Sequence, residues 1–458
     1  MAMECGSFDK LLLCGGAAIA ERTAIVVAGE RTTWAELTRL GQAIEGELRG
    51  VSGRRVGLIF RACPACFMAL AILDRLGCDV FLLDGDINAA DADRLAEEYQ
   101  FAGVIAAASN EGGGFLQVTE FPDRAGHANH SSVTILTSGT TGKPKAVRHT
   151  WASLCRPVRS GSADDQQRWL LSYRPHLYAG LQVAMQCFAN RGTLVVPASN
   201  SDPAEVAKLL VTEAVQFVSA TPAYWRRMLM LADPATLRSA PLRQITLGGE
   251  VVDEQILQAL HAAFPEARIV HIYATTELGR CFSVTDGRAG FPAKFLQSVS
   301  PDGVDLKIES GELLARSANS MQGYHTGASS ETSAASDGWR RTGDLVELRD
   351  DRVYFIGRSS DIINVGGNKV SPIEVEQVVR SVRGVRDVRV YGRRSSVVGQ
   401  IVACDVVIAP GADPKTVLDE IGSTCLGSLN SAQRPRLIEF VDSIDLSSAG
   451  KTIRRSSN

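Results

Sequence analysis

Several features are missing from this 458-residue sequence, and each absence removes a class of function. There is no charge excess: 48 Lys and Arg stand against 51 Asp and Glu, and a net charge of -3 offers no global attraction to nucleic acid or anionic lipid. No apolar stretch reaches the roughly 18 uninterrupted residues that a membrane helix needs, so no membrane span is expected. The run Leu11 to Ala20 imitates a signal-peptide core, but Glu4 and Asp9 outweigh Lys10 and the basic leader is missing. Ten cysteines are scattered without a repeated metal spacing, and the single C-x-x-C, Cys63 and Cys66, has no second pair or His cluster to complete a zinc site. They read as reduced, mostly buried thiols, which fits the cytoplasm as the expected compartment. No internal repeat is visible.

What is present is a chain long enough for two or three compact units, with 45% hydrophobic and 22% charged residues. From residue 56 apolar runs alternate with helical ones: Val56 to Phe60, Pro64 to Leu76 closed by Gly77, Val80 to Leu83, a helix from Asp91, then Val104 to Ala107. The rhythm resumes with Thr193 to Val196, a helix after Pro203, Phe217 to Ala220, a helix after Pro222, Ile245 to Leu247, a helix from Asp253, and Ile269 to Tyr273. This pattern predicts two α/β halves, each a sheet covered on both faces. After residue 280 helical periods give way to short strand-like runs, Val304 to Ile308 and Glu312 to Ala315, which predict a β-rich subdomain. Gly323 to Gly338, rich in Ser, Thr, Ala and Gly, reads as a surface loop.

The character changes again near residue 358. The expected organisation is a large N-terminal domain over 1–358 and a small α+β C-terminal domain over 359–458. In the latter, Ser371-Pro372-Ile373-Glu374 predicts a capping box and a helix from Pro372 to about Ser381. Strands at Val388 to Tyr391 and Ile401 to Ile408 and a helix over Pro414 to Thr424 follow.

The strongest chemical signal is Thr137-Ser138-Gly139-Thr140-Thr141-Gly142-Lys143-Pro144-Lys145, directly after the strand-like Val133 to Leu136. Small hydroxyl residues and glycines let backbone N–H groups approach phosphate oxygens, and two lysines supply charge. Pro144 stands where a Walker loop has its magnesium-binding Ser or Thr, so it is a different device. Read alone, it could equally be a solvated turn. Tyr273-Ala274-Thr275-Thr276-Glu277, Gly248-Gly249-Glu250, Arg341-Thr342-Gly343-Asp344-Leu345 and Ser448-Ala449-Gly450-Lys451-Thr452-Ile453-Arg454-Arg455 are likewise ordinary in isolation: strand ends, turns and a basic tail.

Together and in this order, these strings resemble the motif series of the acyl-adenylate-forming superfamily, which holds acyl-CoA synthetases, adenylation domains and luciferases. The resemblance runs from about Thr33 to Arg455. It implies that residues 137–145, including Thr137, Ser138, Gly139, Thr140, Thr141, Gly142, Lys143 and Lys145, hold the phosphates of ATP. It implies that Thr276 contacts the α-phosphate, Glu277 binds Mg2+, Tyr273 and Gly249 lie near adenine, and Asp344 accepts hydrogen bonds from the ribose hydroxyls. A hard cation that prefers oxygen ligands suits Glu277, and an acceptor-only carboxylate suits a diol. Arg358 also contacts the nucleotide by resemblance, and Lys451 is the catalytic lysine of adenylation.

The run Gly357 to Pro372 resembles the family's hinge and a glycine-containing loop, Gly366 and Gly367, that lines the pantetheine tunnel; the hinge residue, usually acidic or Lys, is here Ser360. His176, Ala220, Gly248 and Ala274 are implied in the acid pocket. The absence of any acidic residue between Leu170 and Asn200 disfavours an α-amino acid and points to a medium-sized aromatic or aliphatic acid. The resemblance implies coenzyme A as the thiol acceptor, or alternatively the phosphopantetheine of an acyl- or peptidyl-carrier protein. A non-catalytic nucleotide-binding protein of the same fold is the reading from another class. Retention of Lys451, Glu277 and Asp344 together argues against it.

Overall fold

The two rhythmic segments of the chain build two eight-stranded sheets. The structure, a computed structural model, describes residues 6–13, 17–108, 114–124, 126, 128, 130–137, 144–161, 166–199, 201–300, 302–326, 329–331, 337–396, 398–447 and 450–453. In the first sheet Gly103–Ala107, Arg55–Phe60, Asp79–Asp84 and Ser132–Thr137 lie parallel and side by side, and antiparallel strands close both edges. The second sheet is parallel through Arg268–Thr275, Gln244–Leu247, Phe217–Ala220, Arg168–Leu170, Thr193–Val196 and Thr23–Val27. Parallel strands covered on both faces need apolar residues throughout, and Val80, Phe81, Leu82 and Leu83 are all fully buried.

The helix Pro64–Arg75 joins the halves. It is buried without a break from Cys66 to Asp74, which is possible only with apolar partners on every side. Phe67 packs on Phe60 at 5.2 Å and on Phe188 of the helix Tyr178–Ala189 at 5.4 Å, so one apolar core runs through both halves. Each Leu, Phe or Met buried there contributes about 1.5–3 kcal/mol. Asp74, at the end of this buried stretch, accepts from the Phe8 amide and the Ser131 hydroxyl, both at 2.7 Å, while burial raises its pKa.

A third sheet, Phe291–Pro292, Arg352–Arg358, Arg340–Arg349, Glu312–Ser317 and Val304–Glu309, is the expected β-rich unit. Strand pairing then changes hands: Arg358 ends the third sheet, and Ile363–Val365 opens a fourth with Asn368–Val370, Val385–Ser395, Gly399–Ile408 and Leu437–Phe440. The helices Pro372–Arg380 and Pro414–Ser428 cover its apolar face. The architecture is thus a large N-terminal α/β domain with a β-rich part and a small α+β C-terminal domain.

Three local expectations differ. Gly323 to Gly338 is not wholly a loop: Gly323–Thr326 and Ser329–Glu331 are strands that extend the first sheet, with Tyr324 opposite Val147. Edge pairing with Lys145–His149 overrides the turn-like composition. The capping box is half formed. The Ser371 hydroxyl accepts from the Glu374 amide at 3.3 Å, but the Glu374 carboxylate takes the Gln433 side chain at 3.1 Å instead of closing the box. The last helix runs to Ser428, one turn beyond the expected Thr424.

Candidate active site

The second sheet and the third meet at an aromatic cluster that brings two distant motifs together. Tyr273 lies in the strand Arg268–Thr275, and its ring packs on Phe282 and Phe355 at 5.3 and 5.0 Å. Its hydroxyl donates to Asp344 Oδ2 at 2.5 Å. Burial, with the Asp344 charge beside it, pushes the phenol well above its usual range, so Tyr273 remains a donor.

Asp344 and Arg358 are cross-strand partners in the third sheet, and Arg358 Nε donates to Asp344 Oδ1 at 3.0 Å. Burial opposes the Arg358 charge, but Asp344 and its neighbours more than offset this and raise the pKa. Glycine is required at 343, where φ is +75, and Ser359 N–H closes the turn onto Gly343 O at 2.8 Å.

The Thr276-Glu277 pair follows the same strand. Tyr324, from the strand missed by composition, donates to Glu277 Oε1 at 3.3 Å, and Lys145 Nζ lies 5.6 Å from the Tyr324 ring centre. His149 holds the pair from behind: its Nε2 lies 2.6 Å from Thr276 O and its Nδ1 3.1 Å from Ser153 Oγ. The ring is fully buried, and burial pulls its pKa down to about 4, against weaker support from the Thr276 carbonyl and Glu277. The neutral imidazole therefore carries its proton on Nε2 and donates it to Thr276 O, leaving Nδ1 as an acceptor beside Ser153 Oγ, whose hydroxyl also reaches Thr150 O at 2.9 Å.

The tail enters this cleft from the small domain. Thr221 Oγ1 donates to Gly450 O at 2.6 Å, and Thr452 N–H donates to Glu250 Oε1 at 2.8 Å, pinning the chain on both sides of Lys451. Glu250 Oε2 also accepts from Ala223 N–H in the first turn of the helix Pro222–Leu231. Lys451 keeps part of its side chain in solvent, while Cε of its arm passes within 3.2 Å of where a Cβ on Gly249 would stand. Burial, and then the Arg358 charge, lower its pKa against the pull of Glu250, Asp344 and Glu277.

Other expected positions fall as follows. Thr137 and Lys145 are register partners at the rim of the first sheet, whereas Ser138, Gly139, Thr140, Thr141, Gly142 and Lys143 lie outside the described residues. Gly248 N–H donates to Ala220 O at 3.2 Å, and Tyr173 Oη to Gly248 O at 3.4 Å; Ala220, Gly248 and Ala274 lie in or just after three adjacent strands. His176 faces the other sheet, with Nε2 3.7 Å from Asp84 Oδ2, and Arg174 binds the same carboxylate at 2.8 Å. An acidic group thus stands beside His176 after all, supplied by the strand Asp79–Asp84 rather than by residues 170–200.

Gly366 and Gly367 form an exposed turn whose amides bond to Val398 O and Asn364 Oδ1 within the small domain. Ser360 is exposed and donates to Asp361 Oδ1 at 2.9 Å. Sequence reasoning missed His149, Tyr324 and the anchoring roles of Glu250 and Thr221. The Thr221 role was hidden because its partner is a backbone carbonyl of the tail.

Residues 82–325 match the AMP-binding enzyme family and residues 374–451 its C-terminal domain. The chain belongs to the AMP-binding enzymes and is an AMP-forming ligase of that class. Among relatives, it is 25% identical to a 2-succinylbenzoate–CoA ligase of Listeria innocua serovar 6a, over 94% of this chain and 95% of the relative. Among solved structures, it resembles the anthranilate CoA ligase AuaEII in complex with anthranoyl-AMP, with a TM-score of 0.81, 18% identity and coverage of 97% and 95%. It also resembles the o-succinylbenzoate CoA synthetase of Bacillus subtilis in complex with its acyl-adenylate, with a TM-score of 0.71, 20% identity and coverage of 97% of both chains. At these identities the structural likenesses establish the fold. Among the described residues, no helix is long and apolar enough to cross a membrane.

Proposed function

We propose that the chain activates a small carboxylic acid with ATP and passes the acyl group to coenzyme A. The acid carboxylate attacks the α-phosphorus, the bond to pyrophosphate breaks, and an acyl-AMP forms. The thiolate of coenzyme A then displaces AMP. The observation that carries this reading is the convergence of Tyr273, the hairpin pair Asp344 and Arg358, and Lys451 from three separate stretches of chain on one cleft.

Asp344 offers its carboxylate to the ribose hydroxyls, with Tyr273 and Arg358 fixing its orientation. Lys451 places an ammonium between two anions that repel each other. At 4 Å and an effective dielectric of 20 one such charge pair is worth about 4 kcal/mol. Residues 137–145 supply amides and lysines to the phosphates. Thr276 meets the α-phosphate, held by the His149 bond to its carbonyl. Glu277 fits Mg2+, because its Oε2 takes no hydrogen bond from any described residue and points to oxygen-preferring chemistry. The cation, when bound, neutralises charge on the departing pyrophosphate.

Aromatic acids are the favoured substrates, because 2-succinylbenzoate–CoA ligases match nearly the whole chain, at 94% and 95%, whereas a long-chain-fatty-acid–CoA ligase of Mycobacterium tuberculosis matches 69% of it. Residues 359–458 act as the mobile unit, turning about Ser360 after adenylation so that Gly366 and Gly367, which face solvent here, line the path of the pantetheine arm. Pyrophosphate exchange with a panel of aromatic and aliphatic acids, followed by thioester formation with coenzyme A or a carrier protein, tests the whole reading. Absence of exchange with every acid would favour a nucleotide-binding protein without catalysis.

A further inference from the structure

The pair Cys63 and Cys66 lies outside the adenylation chemistry. Cys63 is the N-cap of the buried helix Pro64–Arg75, and Cys66 is its third residue. Elsewhere the chain starts helices on Thr33, Asn88, Asp202, Thr221 and Asp413, whose side chains accept from the third amide, whereas the Cys63 sulfur makes no full capping bond. A thiol is a weak acceptor for that position, so capping does not account for it. The two thiols sit one turn apart at the same helix start, Cys63 partly exposed and Cys66 fully buried. Cap-to-third-residue spacing at a helix start sets the α-carbons about 5 Å apart, inside the span a disulfide bridges, and a small backbone adjustment of this first turn brings the β-carbons to the roughly 3.5–4.5 Å the bond needs.

The turn joins two parallel strands through a helix, a setting in which a C-x-x-C reads as redox-active. Among the described residues no group of three or more His, Cys, Asp or Glu could hold a metal ion, which removes the competing role.

We propose that Cys63 and Cys66 form a reversible disulfide by exchange with low-molecular-weight disulfides, Cys63 attacking and Cys66 resolving. The Cys63 thiolate attacks one sulfur of R–S–S–R, a Cys63–S–S–R bond forms, and RS⁻ leaves. Cys66 then loses its proton and attacks Sγ of Cys63, expelling a second RS⁻; the two released thiolates take up the two protein protons. The protein dithiol is oxidised and the small disulfide is reduced by the same two electrons.

Division of labour follows from the surroundings. The Cys66 thiol, aided by the Cys66 and Ala65 amides and by Arg61, pulls the Cys63 pKa down to about 7 against burial, whereas contact with Cys63 and burial push Cys66 upward. The thiolate is the nucleophile, and Cys63 is the one that holds it near neutrality.

The test equilibrates the full chain with mixtures of reduced and oxidised glutathione, alkylates the remaining thiols and digests with trypsin. The peptide from Ala62 to Arg75 contains both cysteines and no other. In oxidising mixtures it is expected unalkylated and lighter by two hydrogens, and dithiothreitol restores both alkylation sites. Cys66→Ala is expected to retain one glutathione on Cys63, and Cys63→Ser, which installs an ordinary helix cap, to leave Cys66 a free thiol. Full alkylation of this peptide in the most oxidising mixture would overturn the proposal, as would glutathione on Cys66 in Cys63→Ser.

Discussion

A Cβ built on Gly249 would stand 3.2 Å from Cε of Lys451 and 3.5 Å from Cγ2 of Thr221. Gly249 also has φ +85, a conformation that costs an L-residue about 1 kcal/mol. The glycine therefore serves two ends: it turns the chain after the strand Gln244–Leu247 and leaves a channel for the lysine arm. Gly249→Ala is expected to lower adenylation about tenfold, equivalent to roughly 1.4 kcal/mol, through displacement of Lys451. Pyrophosphate exchange at saturating ATP measures this, and an unchanged rate would mean that the arm has another route.

Lys451→Ala removes the charge itself. Adenylation is expected to fall by roughly 10²-fold to 10³-fold, while thiol transfer from a supplied acyl-AMP survives. Equal loss in both half-reactions would deny the lysine an adenylation-specific role. Because crowding and Arg358 lower its pKa from 10.5, the ammonium is lost as pH rises through the lowered value. The alkaline limb of kcat/KM for adenylation, which reports the free enzyme, should therefore begin below the ordinary lysine range.

How much of this was legible in the sequence depends on what carried each feature. The strands, helices and motif order were readable because hydrophobic period and fixed spacing are local properties. The pairing of Asp344 with Arg358 was not read from the sequence, although a single hairpin holds it. Nor was the Tyr273 hydroxyl on Asp344, because two sheets must first meet around Phe282 and Phe355. The Glu250 bond to Thr452 N–H was hidden in the same way, since a backbone amide has no sequence signature. Nor did any periodicity mark Gly323–Thr326 as a strand, whose place depends on an open edge at Lys145–His149.

His149 gives an acid-stability prediction with a definite sign. Its folded pKa of about 4 lies below the ordinary imidazole value of 6.5, so the unfolded chain takes the proton first. Stability from this group is fully present above pH 6.5, declines as pH falls between 6.5 and 4, and levels off below the folded value. The integrated loss is roughly 3 kcal/mol. Burial also lowers the pKa values of His176 and His271, so the difference between wild type and His149→Gln isolates the contribution. Urea unfolding across that range should show a shallower decline for the variant. Identical slopes would place the pH sensitivity elsewhere.

Glu250 links tail docking to catalysis. One oxygen accepts from Ala223 N–H at 3.0 Å and the other from Thr452 N–H at 2.8 Å, so a single carboxylate ties the helix Pro222–Leu231 to the residue after Lys451. Hydrogen bonds to a charged group contribute about 1.5–3 kcal/mol each, and only the second bond depends on the docked tail. Glu250→Ala should therefore lower adenylation by about tenfold to a hundredfold, with transfer from supplied acyl-AMP reduced much less. Glu250→Gln, left with one acceptor oxygen for two amides, should fall between. Measuring both half-reactions separates docking from stability. A general weakening of the large domain would lower the two rates together, whereas loss of the tail anchor alone touches the step in which Lys451 must be held in the cleft.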